Sequence, residues 1–142
     1  MCSLSNEITH STVDVDTVRS KIKDDSLRLI DVRREEDYNK GHIPNAVNLP
    51  LASLLSDDSP ESVVKLAEDM GIADNTQVVV YDDTFGALAS RVAWTLQYIG
   101  HDNVALLEVT YSQWKELGLK TSNEKPNIKP AKHSLNLKPN IM

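Results

Sequence analysis

The stretch Gln77 to Gly100, QVVVYDDTFGALASRVAWTLQYIG, constrains the fold of this chain more than any other. Gln77 to Tyr81 is a β-branched, apolar run of strand length, the pattern of a strand buried on both faces. A turn follows, Asp82 to Ala87, and the hydrophobic period then changes. Leu88, Val92, Leu96 and Ile99 fall at i, i+4, i+8 and i+11, with Ala93 and Trp94 widening the stripe. That spacing predicts a core-facing helix, and Gly100 suits its C-terminal stop. A buried strand, a tight loop and a helix place the loop at the carboxyl end of a parallel sheet. Backbone N–H groups converge there and the helix dipole favours negative charge, so such loops commonly hold anions. Here the loop opens with two carboxylates, Asp82 and Asp83, rather than a nucleophile.

The rest of the chain repeats the alternation. Residues 1–11 read as a leader. Thr12, Val13 and Val15 predict a short first strand, followed by a helix over Asp16 to Lys23 capped by Asp14 or Asp16. Leu27 to Val32 is a second strand, and a short acidic turn of helix, Glu35 to Tyr38, ends at Gly41. A brief strand is expected over Ala46 to Leu49, then a linker over residues 51–59. Ser59 and Pro60 are the cap and first residue of a helix running to Met70. Beyond the central unit, Val104 to Leu107 is another buried strand, and Tyr111 to Leu117 a last helix with Trp114 pointing inward. The expected fold is α/β: a central, mainly parallel five-stranded sheet with helices on both faces. Residues 119–142 lack periodicity and are rich in Lys, Asn and Pro, which predicts a basic linker or a disordered tail.

Charge and cysteine content exclude several functions. The net charge of −6 divides unevenly: residues 119–142 carry five Lys and one Glu, leaving ten basic and twenty acidic residues in the body. An acidic body argues against nucleic acid, which binds through Lys and Arg paired with phosphates. No basic n-region with an apolar h-region opens the chain and no apolar run approaches a membrane span, so a cytoplasmic protein with no membrane partner is expected. Cys2 is the single cysteine and lies in a polar leader, where nothing would activate a thiolate. His10, His42, His101 and His133 show no metal-ligand spacing, so no metal is expected.

Three segments, LIDVRREEDYNKGHIPNAVNLP, VVVYDDTFGALASRVAWTLQYIGHDNV and LLEVTYSQWKELG, resemble the rhodanese-like family in this order and over residues 12–118. The resemblance implies sulfur chemistry without a cofactor. In an active rhodanese domain a cysteine directly after the central strand takes a sulfane sulfur from thiosulfate or 3-mercaptopyruvate and passes it to a thiophilic acceptor. In this sequence Asp82 stands at that position. The vestigial loop, Asp82, Asp83, Thr84, Phe85, Gly86 and Ala87, is longer than the sulfurtransferase form and holds no basic residue. Val109 and Thr110 replace a Gly-Gly of the family's usual pattern. The chain resembles the N-terminal, cysteine-less half of tandem-domain sulfurtransferases. That resemblance implies a second rhodanese domain of the same parent chain as partner, with the tail as a linker toward it. Self-association through the exposed interface and tail is the fallback. The alternative is a freestanding regulatory or anion- and partner-binding module on the same fold.

Asp82 has three readings. Its carboxylate accepts loop and helix-start N–H bonds and permanently occupies the anion site, which is the reading we favour. Or the loop still binds a ligand or partner. Or Asp82 is an aspartyl nucleophile working with Mg²⁺, which would require further carboxylates and a lysine that the loop does not offer. Asp31 with Arg33 is expected as a structural ion pair. Gly41, His42 and Pro44 are expected as structural parts of the GHIP motif, with His42 bonded to backbone. Arg91 has two readings, an anion-steering group near the loop or an ion-paired surface side chain.

Overall fold

Gln77–Tyr81 is the central strand of the sheet, as its composition demands. The computed structural model describes residues 11–24 and 26–137. In chain order the elements are β1 (Ser11–Val13), α1 (Val15–Lys21), β2 (Leu27–Asp31), α2 (Glu35–Lys40), β3 (Val47–Asn48), α3 (Leu51–Ser56), α4 (Pro60–Asp69), β4 (Gln77–Tyr81), α5 (Ala87–Tyr98), β5 (Val104–Leu107) and α6 (Tyr111–Glu116). The five strands lie in the order β1-β5-β4-β2-β3, and every pairing is parallel. Among the described residues no helix is long and apolar enough to cross a membrane.

Side-chain alternation splits the core into two layers. Ile30, Val78, Val80 and Val104 face one way, onto Leu54 of α3, Val63 and Ala67 of α4, and Ala89, Val92 and Leu96 of α5. Leu29, Val79, Tyr81 and Leu107 face the other, onto Val18 of α1, Tyr38 of α2, and Tyr111 and Trp114 of α6. Helices therefore cover both faces, and β4 is buried on each. The carboxyl ends of β2 and β4 emerge side by side, with Asp31 in register with Tyr81. This brings the DVR segment beside the Asp82 loop.

Several local expectations need correction. Val15 opens α1 rather than extending β1, because Asp14 caps the helix there by accepting from the Thr17 N–H at 2.8 Å. β3 is confined to Val47–Asn48, and α2 continues past Tyr38 to Lys40. The expected linker over residues 51–59 contains α3, whose Leu54 is 2% exposed and fills the core between the sheet and α5. The leader up to residue 10, including Cys2, lies outside the described residues.

The tail also departs from expectation. Residues 119–137 follow the body surface in an extended course. His42 and Ser122 exchange backbone hydrogen bonds of 2.7 and 2.8 Å, and the Trp114 indole donates to Lys120 O at 2.8 Å. Farther on, Ala131 N–H donates to Glu68 O and Asn136 N–H to Ile99 O, each at 2.9 Å. A segment fastened by its own backbone groups to scattered carbonyls carries no hydrophobic period. That is why its composition reads as a linker.

Candidate functional site

The site is built around Asp82, the first residue after β4. Phe85 and Gly86 both take left-handed conformations (φ 57° and 94°), which folds the loop back over the strand end before α5 begins. Glycine adopts such a φ freely, whereas for phenylalanine it is uncommon and costs about 1–3 kcal/mol. The turn aims its N–H groups inward. Asp82 Oδ1 accepts from the N–H of Thr84 (2.9 Å) and Gly86 (3.0 Å), and Oδ2 from the N–H of Leu88 (3.0 Å) and Ala89 (2.9 Å) and from the Thr84 hydroxyl (2.9 Å). The residue is 3% exposed. Burial pushes the carboxyl up, but the N–H bonds from Ala89, Gly86 and Thr84 outweigh it and hold Asp82 below the usual aspartate value. The carboxylate thus fills the cradle that the loop and the start of α5 would offer to an anion.

Asp83 is committed differently. Its two oxygens accept from the Ser112 N–H (2.9 Å) and hydroxyl (2.7 Å), tying the loop to the start of α6. Phe85 stands at the crest, 83% exposed. Neither carboxylate matches an aspartyl nucleophile: the Asp82 oxygens are saturated by donors and the Asp83 oxygens face α6. Among the described residues, no three His, Cys, Asp or Glu side chains are grouped to hold a metal ion.

Beside the loop, Asp31 and Arg33 form the expected ion pair, with Arg33 Nη2 2.7 Å from Asp31 Oδ2. Arg33 also donates to Gly41 O at 2.7 Å, and the Tyr81 hydroxyl donates to Asp31 Oδ2 at 2.7 Å. Burial, reinforced by the Asp31 charge, pushes the Tyr81 phenol well above its ordinary range, so it stays a donor. The Arg33 guanidinium lies 4.0 Å from the centre of the Tyr111 ring. This network welds the ends of β2 and β4 to the start of α6 and presents no free nucleophile. His42 has its ring nitrogens 3.0 Å from Tyr38 O and 2.7 Å from Glu124 O, both backbone carbonyls, and its ring stacks on that of Tyr38 at 3.9 Å between centroids. Pro44 and Asn45 form the turn into β3. Arg91 pairs with Asp58 at 3.7 Å and lies over Trp94, so it does not reach into the loop.

Sequence reasoning missed the cleft next to the loop. A cavity of about 680 Å³ is lined by Arg33, Arg34, Lys40 and Lys115, among others, with Asp83 and Thr84 on its loop side. The cations come from the segment before α2 (Arg33 and Arg34), from the last turn of α2 (Lys40) and from α6 (Lys115). Only the i, i+4 relation of Lys115 to Tyr111 hints at this in the sequence, because the α2 and α6 segments meet only in the fold.

A family model described as "Rhodanese-like domain" matches residues 14–117. The chain belongs to the rhodanese-like family. This rhodanese-like domain is 30% identical over 132 residues to the sulfur carrier protein TtuD of Thermus thermophilus, covering 87% of this chain and 46% of that protein. It is 30% identical over 122 residues to mouse 3-mercaptopyruvate sulfurtransferase, covering 79% of this chain and 40% of the relative. The chain therefore spans less than half the length of these relatives. Among solved structures, the 3-mercaptopyruvate sulfurtransferase SseA of Escherichia coli superposes with a TM-score of 0.78 at 22% identity, over 92% of this chain and 57% of that one. That likeness concerns the fold.

Proposed function

We propose that this chain is a non-catalytic rhodanese domain of a sulfurtransferase that works on thiosulfate or 3-mercaptopyruvate. In this reading, a second rhodanese domain of the same parent chain carries the cysteine persulfide. One observation carries the proposal: the Asp82 carboxylate occupies the loop cradle and accepts four backbone N–H bonds. A thiolate and its bound anionic donor would need that cradle open. The named sulfurtransferases and the sulfur carrier among the relatives support the sulfur-handling part, and their greater length supports a further domain.

A second reading has its own support. The tail docks on its own body, and the basic cleft beside Asp83 is open to solvent, as suits a freestanding module that binds an anionic partner. Sulfur transfer from thiosulfate to cyanide tests the main reading. The purified chain is expected to form no thiocyanate above background. Thiocyanate formation that survives Cys2→Ser would overturn it. The two readings separate on the reading frame of the transcript beyond Met142. A second rhodanese-like domain with a cysteine after its central strand supports the tandem form, and a stop codon supports the freestanding one.

A further inference from the structure

Two histidines fasten the distal tail to the body. His101, in the corner between α5 and β5, is 1% exposed, and His133, in the tail, is 9% exposed. His101 Nδ1 lies 2.9 Å from His133 Nε2. Each outer nitrogen faces a backbone carbonyl: His101 Nε2 is 2.8 Å from Thr76 O, and His133 Nδ1 is 2.6 Å from Ser134 O. A carbonyl oxygen only accepts, so both outer nitrogens carry hydrogen. Two neutral imidazoles possess one N–H each, and both would then point outward. Their inner nitrogens would meet as bare lone pairs at hydrogen-bond distance. The arrangement closes only with a third proton, lying in the His101–His133 bond.

We infer that His101 and His133 form a proton-sharing latch, in which the tail docks with the pair holding one positive charge, so that docking is strongest where free imidazoles are half-protonated and weakens on either side. The surroundings favour the single charge. Asp74, in the turn before β4, places Oδ1 3.6 Å from His133 Nδ1, and it also accepts from the Ser134 N–H and hydroxyl at 3.0 and 2.8 Å. Glu68 of α4 accepts the His133 N–H through Oε2 at 2.9 Å. The remaining charged neighbours along the chain, Asp102 and Lys132, are exposed. The Ser134 hydrogen bonds hold the Asp74 carboxyl below its ordinary value, so it stays ionised while imidazoles titrate. Burial, with the neighbouring His133 adding to it, pushes His101 down.

Linkage gives the size of the effect. The docked pair binds one proton throughout, whereas two free imidazoles of ordinary pKa bind on average one only near pH 6.5. Below that pH the released pair takes up more protons than the docked pair, and above it fewer. The docking constant therefore falls about threefold on going from pH 6.5 to either 5.5 or 7.5, and about 25-fold by pH 8.5. His42 meets the proximal tail separately, so the Ser122 amide reports on a different contact.

The test reads imidazole nitrogen chemical shifts together with amide-exchange protection factors between pH 5.5 and 8.5. At pH 6.5 we expect three protons on the pair, one on each outer nitrogen and one in the bond between His101 Nδ1 and His133 Nε2. The Ala131 and Asn136 amides should then show maximal protection near pH 6.5, falling about 25-fold by pH 8.5. In His133→Gln, whose amide donates to His101 without titrating, the fall above pH 6.5 should vanish and only a loss below pH 6.5, from the released His101, should remain, while the Ser122 amide keeps its wild-type profile. Two neutral histidines at pH 6.5, a flat wild-type profile at Ala131 and Asn136, or an unchanged profile in His133→Gln would each overturn the latch.

Discussion

Replacing Asp82 by alanine should convert a filled anion cradle into an open one. The substitution removes the acceptor of four backbone N–H groups and one hydroxyl, within a residue that is 3% exposed. Losing a helix-start acceptor costs about 0.5–2 kcal/mol, and hydrogen bonds to a charged group contribute about 1.5–3 kcal/mol each. Water entering the vacated space re-satisfies some of the donors, so the net loss should lie near 3 kcal/mol. For a domain of this size that lowers Tm by about 10 °C. The diagnostic feature is the rescue. Sulfate can enter the emptied cradle, and at fifty times its Kd it would restore about 2.3 kcal/mol. Wild type, with the cradle occupied, should respond no more to sulfate than to chloride at matched ionic strength. The assay is thermal and urea unfolding of both proteins across a sulfate series. A loss below about 0.5 kcal/mol, the range of an ordinary surface substitution, would refute the reasoning. So would equal sulfate responses in the two proteins.

Two further substitutions address the frame around the loop. Leu54→Ala should cost about 2–4 kcal/mol in urea unfolding, because Leu54 is 2% exposed in the core; a cost near zero would return residues 51–59 to a linker. Arg33→Lys keeps the charge but cannot span both Asp31 oxygens and Gly41 O, so it should cost about 2 kcal/mol by the same measurement. Stability equal to wild type would show that the bidentate geometry is not what holds these strand ends.

The parts of the fold legible in the sequence are those with a period. β4 and α5 declare themselves because Val78 to Val80 are buried on both faces and the stripe of α5 recurs at helical spacing. α3 was hidden because it is short and bounded by Pro50 and Asp57, so buried Leu54 and partly buried Leu51 supply its whole signal. The docking of the tail was not legible because its anchors are backbone bonds and one histidine pair, and His101 and His133 are too far apart in sequence to suggest contact. At the site, Asp82 was recognisable as an N–H acceptor from its place after a buried strand. The number of N–H groups it collects was not, since that depends on Phe85 adopting a left-handed conformation that phenylalanine does not signal. The basic cleft was invisible for a related reason: Arg34 and Lys40 meet Lys115 only once the sheet has set β2 beside β4.

The most direct test of the account is a pH titration of the Asp82 carboxyl carbon by NMR, assigned by comparison with Asp82→Ala. The loop N–H bonds favour the charged form against the cost of burial, so the carboxyl should titrate below the ordinary aspartate value of about 3.9. By linkage, its contribution to stability is present above that ordinary value and is lost as pH falls through the lowered one. A carboxyl titrating clearly below the ordinary value, with the Thr84, Gly86, Leu88 and Ala89 amides shifting along the same curve, is the result predicted. A value at or above the ordinary one, or amides indifferent to the titration, would mean that Asp82 does not fill the cradle.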